Sequence, residues 1–196
     1  MAIMNTNNGR ELDIIVLGTP ITKGSYQPYT KNGKAINVDP RLTVWESKIR
    51  SVALNELRKL QMTTYDCPVQ IIGEIRVPRP SSAAHTFPAY QTAKYKGGGD
   101  LDKLMRAIGD ALQAVQSRYL GRSKPGVLSN DSRIIGWNLT KLYETPKRPS
   151  GIYLTISPLE SLDDVYAPWS PATSEGANHI SRLESIHTRI NQIRNF

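Results

Sequence analysis

Three carboxylates and one guanidinium are spaced so that they could do chemistry together. Asp100 and Asp102 stand i, i+2 directly after Gly97-Gly98-Gly99, Arg106 follows Asp102 by one helical turn, and Asp131 comes after a polar loop. Carboxylates that converge repel one another unless a cation neutralises them. A set of oxygen ligands without Cys or His suits Mg²⁺, or Mn²⁺, rather than zinc. Such a cation lowers the pKa of an attacking water and stabilises a leaving oxygen, which is the chemistry of phosphodiester hydrolysis. Arg106 has the planar fork to hold a phosphate beside the acids. Each residue also has a plainer role. An N-cap aspartate such as Asp100 contributes about 0.5–2 kcal/mol to a helix, and an acid in the first turn such as Asp102 about 0.3–1 kcal/mol. Arg106 completes an i, i+4 ladder between Asp102 and Asp110, and Asp131 is a turn residue before a strand. Asp110, two turns further on, reads as structural.

The element that must carry Asp100, Asp102 and Arg106 is a helix. Leu101, Leu104, Met105, Ile108, Ala111, Leu112 and Val115 recur at helical spacing, with Asp102, Arg106, Gly109 and Gln113 on the opposite face. The pattern runs to about Gln116 or Arg118. Asp131 heads a strand in which Ile135, Trp137, Leu139, Lys141 and Tyr143 alternate with smaller or polar residues, and Ile152 to Ile156 is the expected antiparallel partner. Earlier in the chain, Ile14 to Leu17 is a short strand, and Asn32-Gly33 is a hairpin signal. Asp39-Pro40 reads as N-cap and first residue of a helix whose apolar face is Leu42, Trp45, Ile49, Val52, Ala53, Leu57 and Leu60. Val69, Ile71, Gly73, Ile75 and Val77 alternate as a strand with one buried face. The order β, β, α, β, α, β, β predicts an α+β domain, a mostly antiparallel sheet with two main helices packed on it.

The chain has 196 residues, with 25 Lys and Arg against 17 Asp and Glu, a net charge of +8 that favours a polyanionic partner. Two long polar loops, Arg79 to Gly99 and Tyr119 to Asn130, flank the acids. With neighbouring residues they make Lys23, Lys94, Lys96, Lys103, Arg118, Arg122 and Lys124 candidate contacts to a nucleic-acid backbone. Phe87, Tyr90 and Tyr95 could stack on unpaired bases. Taken singly, each of these is equally an ordinary surface or packing residue. The sequence divides into a domain over residues 1–158, a Pro/Ser/acid-rich linker over 159–177, and an amphipathic helix over 178–196 with an Ile/Leu stripe. Cys67 is the only cysteine, the N-terminus lacks the apolar core of a signal peptide, and no apolar run is long enough to span a bilayer. The expectation is an intracellular, cytoplasmic protein without a membrane partner.

The order of these parts resembles the RusA family of Holliday-junction resolvases, the crossover-junction endodeoxyribonucleases. The likeness is carried by Thr19-Pro20 through Ser25 after the first strand, DLDKLMRAIGDAL as the central helix, NDSRIIGWNLTKLY as the acid-headed strand and GIYLTI as the last strand. It covers about Ile14 to Ile156. The resemblance implies a RusA-like fold and a Mg²⁺-dependent homodimer that resolves four-way junctions and other branched DNA by paired, symmetric nicks in recombination, repair or phage replication. Asp100, Asp102 and Asp131 would bind the metal, and Arg106 would be the catalytic basic residue that the family places four after the second acid, where the best-known pattern has Lys. Asn130 stands where the family usually has a second aspartate, and Ala114 to Ser129 is longer than the usual turn. Two alternatives share the residues: a broader flap and fork nuclease, and a non-catalytic junction-binding protein acting in recombination or packaging.

Overall fold

Val69, Ile71, Ile75 and Val77 are wholly buried, so the strand that carries them belongs inside a sheet and not at its edge. The computed structural model describes residues 9–24, 39–81, 89, 98–116 and 123–159, all within the compact unit Met1–Glu160. Its elements are β1 (Leu12–Leu17), α1 (Pro40–Lys59), β2 (Val69–Val77), α2 (Leu101–Leu112), β3 (Val115–Gln116), β4 (Ser123–Lys124), a 3₁₀ turn (Asp131–Arg133), β5 (Ile134–Tyr143) and β6 (Gly151–Pro158). The class is α+β, with two helices and a mixed four-stranded sheet in the order β1-β6-β2-β5. β6 pairs antiparallel with both β1 and β2, whereas β2 and β5 run parallel.

That parallel pair corrects the hairpin expected between β5 and β6. Parallel strands need a crossover, usually a helix, and α2 stands between β2 and β5 in the chain. β5 therefore takes the outer edge beside β2, and Glu144 to Ser150 carries the chain past the end of β2 to reach β6. The Glu144 amide donates to the Val77 carbonyl at 2.9 Å on the way.

One face of the sheet is covered by the helices. Leu12, Ile14 and Val16 of β1, Ile71 and Ile75 of β2, and Ile152, Leu154 and Ile156 of β6 share that face through their register. They join Trp45, Ile49, Ala53 and Leu57 of α1 and Leu104, Ile108, Ala111 and Leu112 of α2 in one core. Asp39 caps α1 as expected, accepting from the Arg41 amide, with Pro40 in the first turn. The other face is polar: Thr155 donates to Asp13 at 2.7 Å, and the Arg76 and Arg148 guanidinium groups both bind Glu74.

α2 ends at Leu112, one turn short of the expected end. Gln113 turns extended and bridges to Leu128, and Val115 joins the small β3–β4 ribbon. The hairpin about Asn32-Gly33 and the chain beyond Leu159, which holds the expected linker and terminal helix, lie outside the described residues. Among the described residues no helix is long and apolar enough to cross a membrane.

Candidate functional site

The chain enters α2 through Gly98 and Gly99, whose φ angles are +84° and +67°. Side chains there are disfavoured twice. The left-handed backbone suits glycine, and a Cβ on Gly98 would lie 2.7 Å from Val77 while one on Gly99 would strike Thr22. The segment after β1 thus packs directly on the start of α2, and the Lys23 amide donates to the Lys103 carbonyl at 3.1 Å. From the other side the Lys141 ammonium of β5 donates to the Gly99 carbonyl at 2.6 Å. Burial pulls the Lys141 pKa down, and the nearby Asp100 charge opposes that.

Asp100 occupies the N-cap position, but its side chain makes no capping hydrogen bond. It pairs instead with the Lys103 ammonium at 2.7 Å. The Lys103 hydrogen bond, followed by the Lys103 charge, holds the Asp100 carboxyl below its ordinary range.

Asp102 and Arg106 project from the next turns and face Asp131 across a cleft of about 260 Å³. Its lining is Asp102, Met105, Arg106, Gly109, Asp131, Ile134 and Trp137. Arg106 lies 3.9 Å from Asp102, and both side chains are more than half exposed. A pair so long and so wet holds neither group firmly. Gly109 forms part of the cleft wall. A Cβ there would stand 3.6 Å from Ile134 Cδ1 and 3.9 Å from both Asp131 Cβ and Trp137 Cζ2.

Asp131 is brought to the cleft by the segment that returns from α2. Leu128 exchanges backbone hydrogen bonds with Leu112 and Ala114 at 3.0 and 2.8 Å, and Tyr65 does so with Val127 and Ser129 at 2.8 and 2.9 Å. Gly126 lies against the backbone of Gln113 and Ala114, where no Cβ would fit. Arg50 of α1 donates to the carbonyls of Asp110, Gln113 and Pro125, the Asp110 and Pro125 bonds at 2.9 and 3.0 Å. Asn130 then caps the 3₁₀ turn by accepting from the Ser132 amide at 2.9 Å. The long Ala114 to Ser129 segment is therefore tied to α2 at both of its described ends.

Of the expected acids, the structure brings together Asp102 and Asp131, with Arg106 beside them, and leaves Asp100 outside the cleft lining. Among the described residues no group of three or more His, Cys, Asp or Glu stands where it could hold a metal ion. Two carboxylates are nevertheless a set that suits Mg²⁺, which keeps several waters and often takes only one or two carboxylates besides substrate oxygens.

The expected backbone contacts divide. Lys94, Lys96, Arg118 and Arg122, like Phe87, Tyr90 and Tyr95, lie outside the described residues. Lys103 is engaged by Asp100, and Lys23 forms an ion pair with Asp110. Lys124 is exposed on β4. It is one of three cations, with Lys23 and Arg50, that act on Glu46, whose pKa burial nonetheless pushes up.

Trp137, Ile134, Met105 and Lys141 are not among the site residues that the sequence suggests. Strict alternation groups Ile135 with Trp137, but a register shift pairs Ile134 with Val69 and Trp137 with Ile71. Ile134 and Trp137 thereby share the helix-side face, and Ile135 is left 52% exposed. The available signal was an aromatic residue within a few positions of the strand-heading acid. The chain matches no protein-family model, no curated protein and no solved structure.

Proposed function

We propose that the chain is a RusA-like, Mg²⁺-dependent endonuclease that resolves Holliday junctions and other branched DNA by paired nicks, acting as a homodimer. The observation that carries this reading is the single cleft in which Asp102, Arg106 and Asp131 meet. Asp102 and Asp131 would hold the cation, Mn²⁺ being an alternative to Mg²⁺, and Asp100 would join them on release from Lys103. The bound cation would supply an acidified water and charge stabilisation at the leaving oxygen. Arg106, only loosely engaged by Asp102, is free to take a phosphate in its fork and to oppose the charge that grows there in the transition state. The net charge of +8 supplies the long-range attraction for a polyanion, and a two-fold dimer would present one such cleft to each of two equivalent strands.

The test is cleavage of a synthetic four-way junction in Mg²⁺, with linear duplex and a chelator as controls. Paired nicking by the wild type that Asp102→Asn and Asp131→Asn abolish supports the reading. Undiminished nicking by either variant, or none by the wild type, overturns it. Flap and fork substrates at equal concentration separate a resolvase from a broader branched-DNA nuclease.

A second reading has two observations in its favour: Asp100 is engaged by Lys103, and among the described residues no three-acid group is assembled. A non-catalytic junction-binding protein acting in recombination or packaging would bind the four-way junction with an affinity indifferent to Mg²⁺.

A further inference from the structure

The acidic cleft has a second wall that phosphodiester hydrolysis does not use. Trp137, Ile134 and Met105 stand beside Asp102, Arg106 and Asp131, so three of the seven lining residues are apolar and three are charged. Trp137 is half-buried; it packs against the core and lines the cleft. The Gly109 backbone lies between the two walls. A methyl at this position would meet Ile134, Asp131 and Trp137 only at ordinary van der Waals distances of 3.6–3.9 Å. Alanine is also the better helix former in mid-helix. Neither crowding nor helix propensity therefore accounts for glycine here.

A ligand that fits both walls carries a flat apolar ring and an anion. The ring lies against Trp137, and the anion meets the Arg106 guanidinium. The volume of about 260 Å³ falls below the roughly 300–1,000 Å³ of pockets that enclose a drug-sized molecule, which limits the guest to one ring system. We infer that this wall receives a single unpaired nucleobase of the strand bound at the acids, stacked on Trp137. The inference rests on nucleic acid being the substrate, and it adds that the nucleotide at the cleft is taken out of its base pair. Base–aromatic stacking tolerates any base, so the wall selects for an unpaired nucleotide and not for a sequence.

The experiment compares binding of deoxythymidine 5′-monophosphate with that of 2-deoxyribose 5-phosphate, which keeps the phosphate and lacks the base. The wild type should prefer the mononucleotide by roughly 5- to 150-fold, the range of one stacked base. Trp137→Ala should erase the preference and Trp137→Phe should retain most of it. Equal binding of the two probes by the wild type, or a preference that survives Trp137→Ala in a folded protein, overturns the inference. Junction cleavage measured alongside separates the two readings. Cleavage without base preference removes the stacking wall and leaves the nuclease. A Trp137-dependent preference without cleavage of any nucleic acid removes the nuclease and leaves a nucleotide site.

Discussion

Arg133 and Asp66 form an ion pair at 2.8 Å that ties the turn carrying Asp131 to the loop after α1. The Ser129 hydroxyl donates to the same Asp66 carboxylate, and Tyr65, next to Asp66, exchanges backbone hydrogen bonds with Val127 and Ser129. One side of the candidate site is thus placed by residues that are distant in sequence and take no part in its chemistry. Asp131 is exposed and Asn130 caps only its own turn, so this tie is what fixes the approach of the carboxylate to α2.

Acid should loosen that tie before it unfolds the domain. The Ser129 hydrogen bond, followed by those from Arg133, lowers the Asp66 pKa below its ordinary 3.8. A depressed folded-state pKa means that the stabilisation is complete above the ordinary value and is lost as pH falls through the folded one. Amide resonances of Ser132 and Arg133 should therefore be steady through neutral pH and shift only below 3.8. In Asp66→Asn the transition should vanish. An identical transition in that variant would show that Asp66 does not control the turn.

Arg50 closes the other end of the same segment. Its guanidinium reaches three carbonyls around the end of α2, and hydrogen bonds to charged groups are worth about 1.5–3 kcal/mol. Arg50→Ala should lower the unfolding free energy in urea by about that amount. Arg50→Lys should recover little, because one ammonium cannot reproduce the fork. A loss below about 0.5 kcal/mol, the level of ordinary surface substitutions, would mean that the clamp is dispensable.

Lys23, a candidate backbone contact by its charge, has a role in the fold. Its ammonium is spent on Asp110, both side chains being substantially covered, and its amide anchors the loop to α2. Lys23→Ala should cost about 1 kcal/mol, the upper end for a partly exposed pair. It should also leave the salt dependence of junction binding unchanged. A phosphate-contacting lysine would instead reduce the slope of log affinity against log salt by about 1.

The helices and strands were largely legible because their signals are local. Asp39-Pro40 announces α1, and the alternation from Val69 to Val77 announces β2. What stayed hidden depends on contacts between distant segments. The pairing of β5 with β2 depends on the crossover through α2, which a turn signal between β5 and β6 does not reveal. The end of α2 is set by Leu128 and Gly126 coming back to it, although Val115 continues the helical pattern. The cleft shows both cases. Asp102, Arg106 and Asp131 were legible as a charge pattern heading two elements. Trp137 was not, because a bulge at Ile135 changes the parity of the strand and brings the ring to the acids.

The part played by Asp100 turns on one lysine. In the structure Lys103 holds it at 2.7 Å, and Lys141 adds a weaker attraction that also lowers its pKa. Both contacts compete with a divalent cation for the same carboxylate. Lys103→Gln should free Asp100 and raise Mg²⁺ affinity by roughly two- to fivefold, the scale of an exposed ion pair, as read by calorimetry on the metal alone. Lys124→Gln removes a charge from β4 and controls for net charge. In the double variant Lys103→Gln, Asp100→Asn the gain should disappear, because the carboxylate released by the first change is neutralised by the second. If Lys103→Gln binds Mg²⁺ no better than Lys124→Gln does, Asp100 serves only the start of α2. The cation would then rest on Asp102 and Asp131 alone.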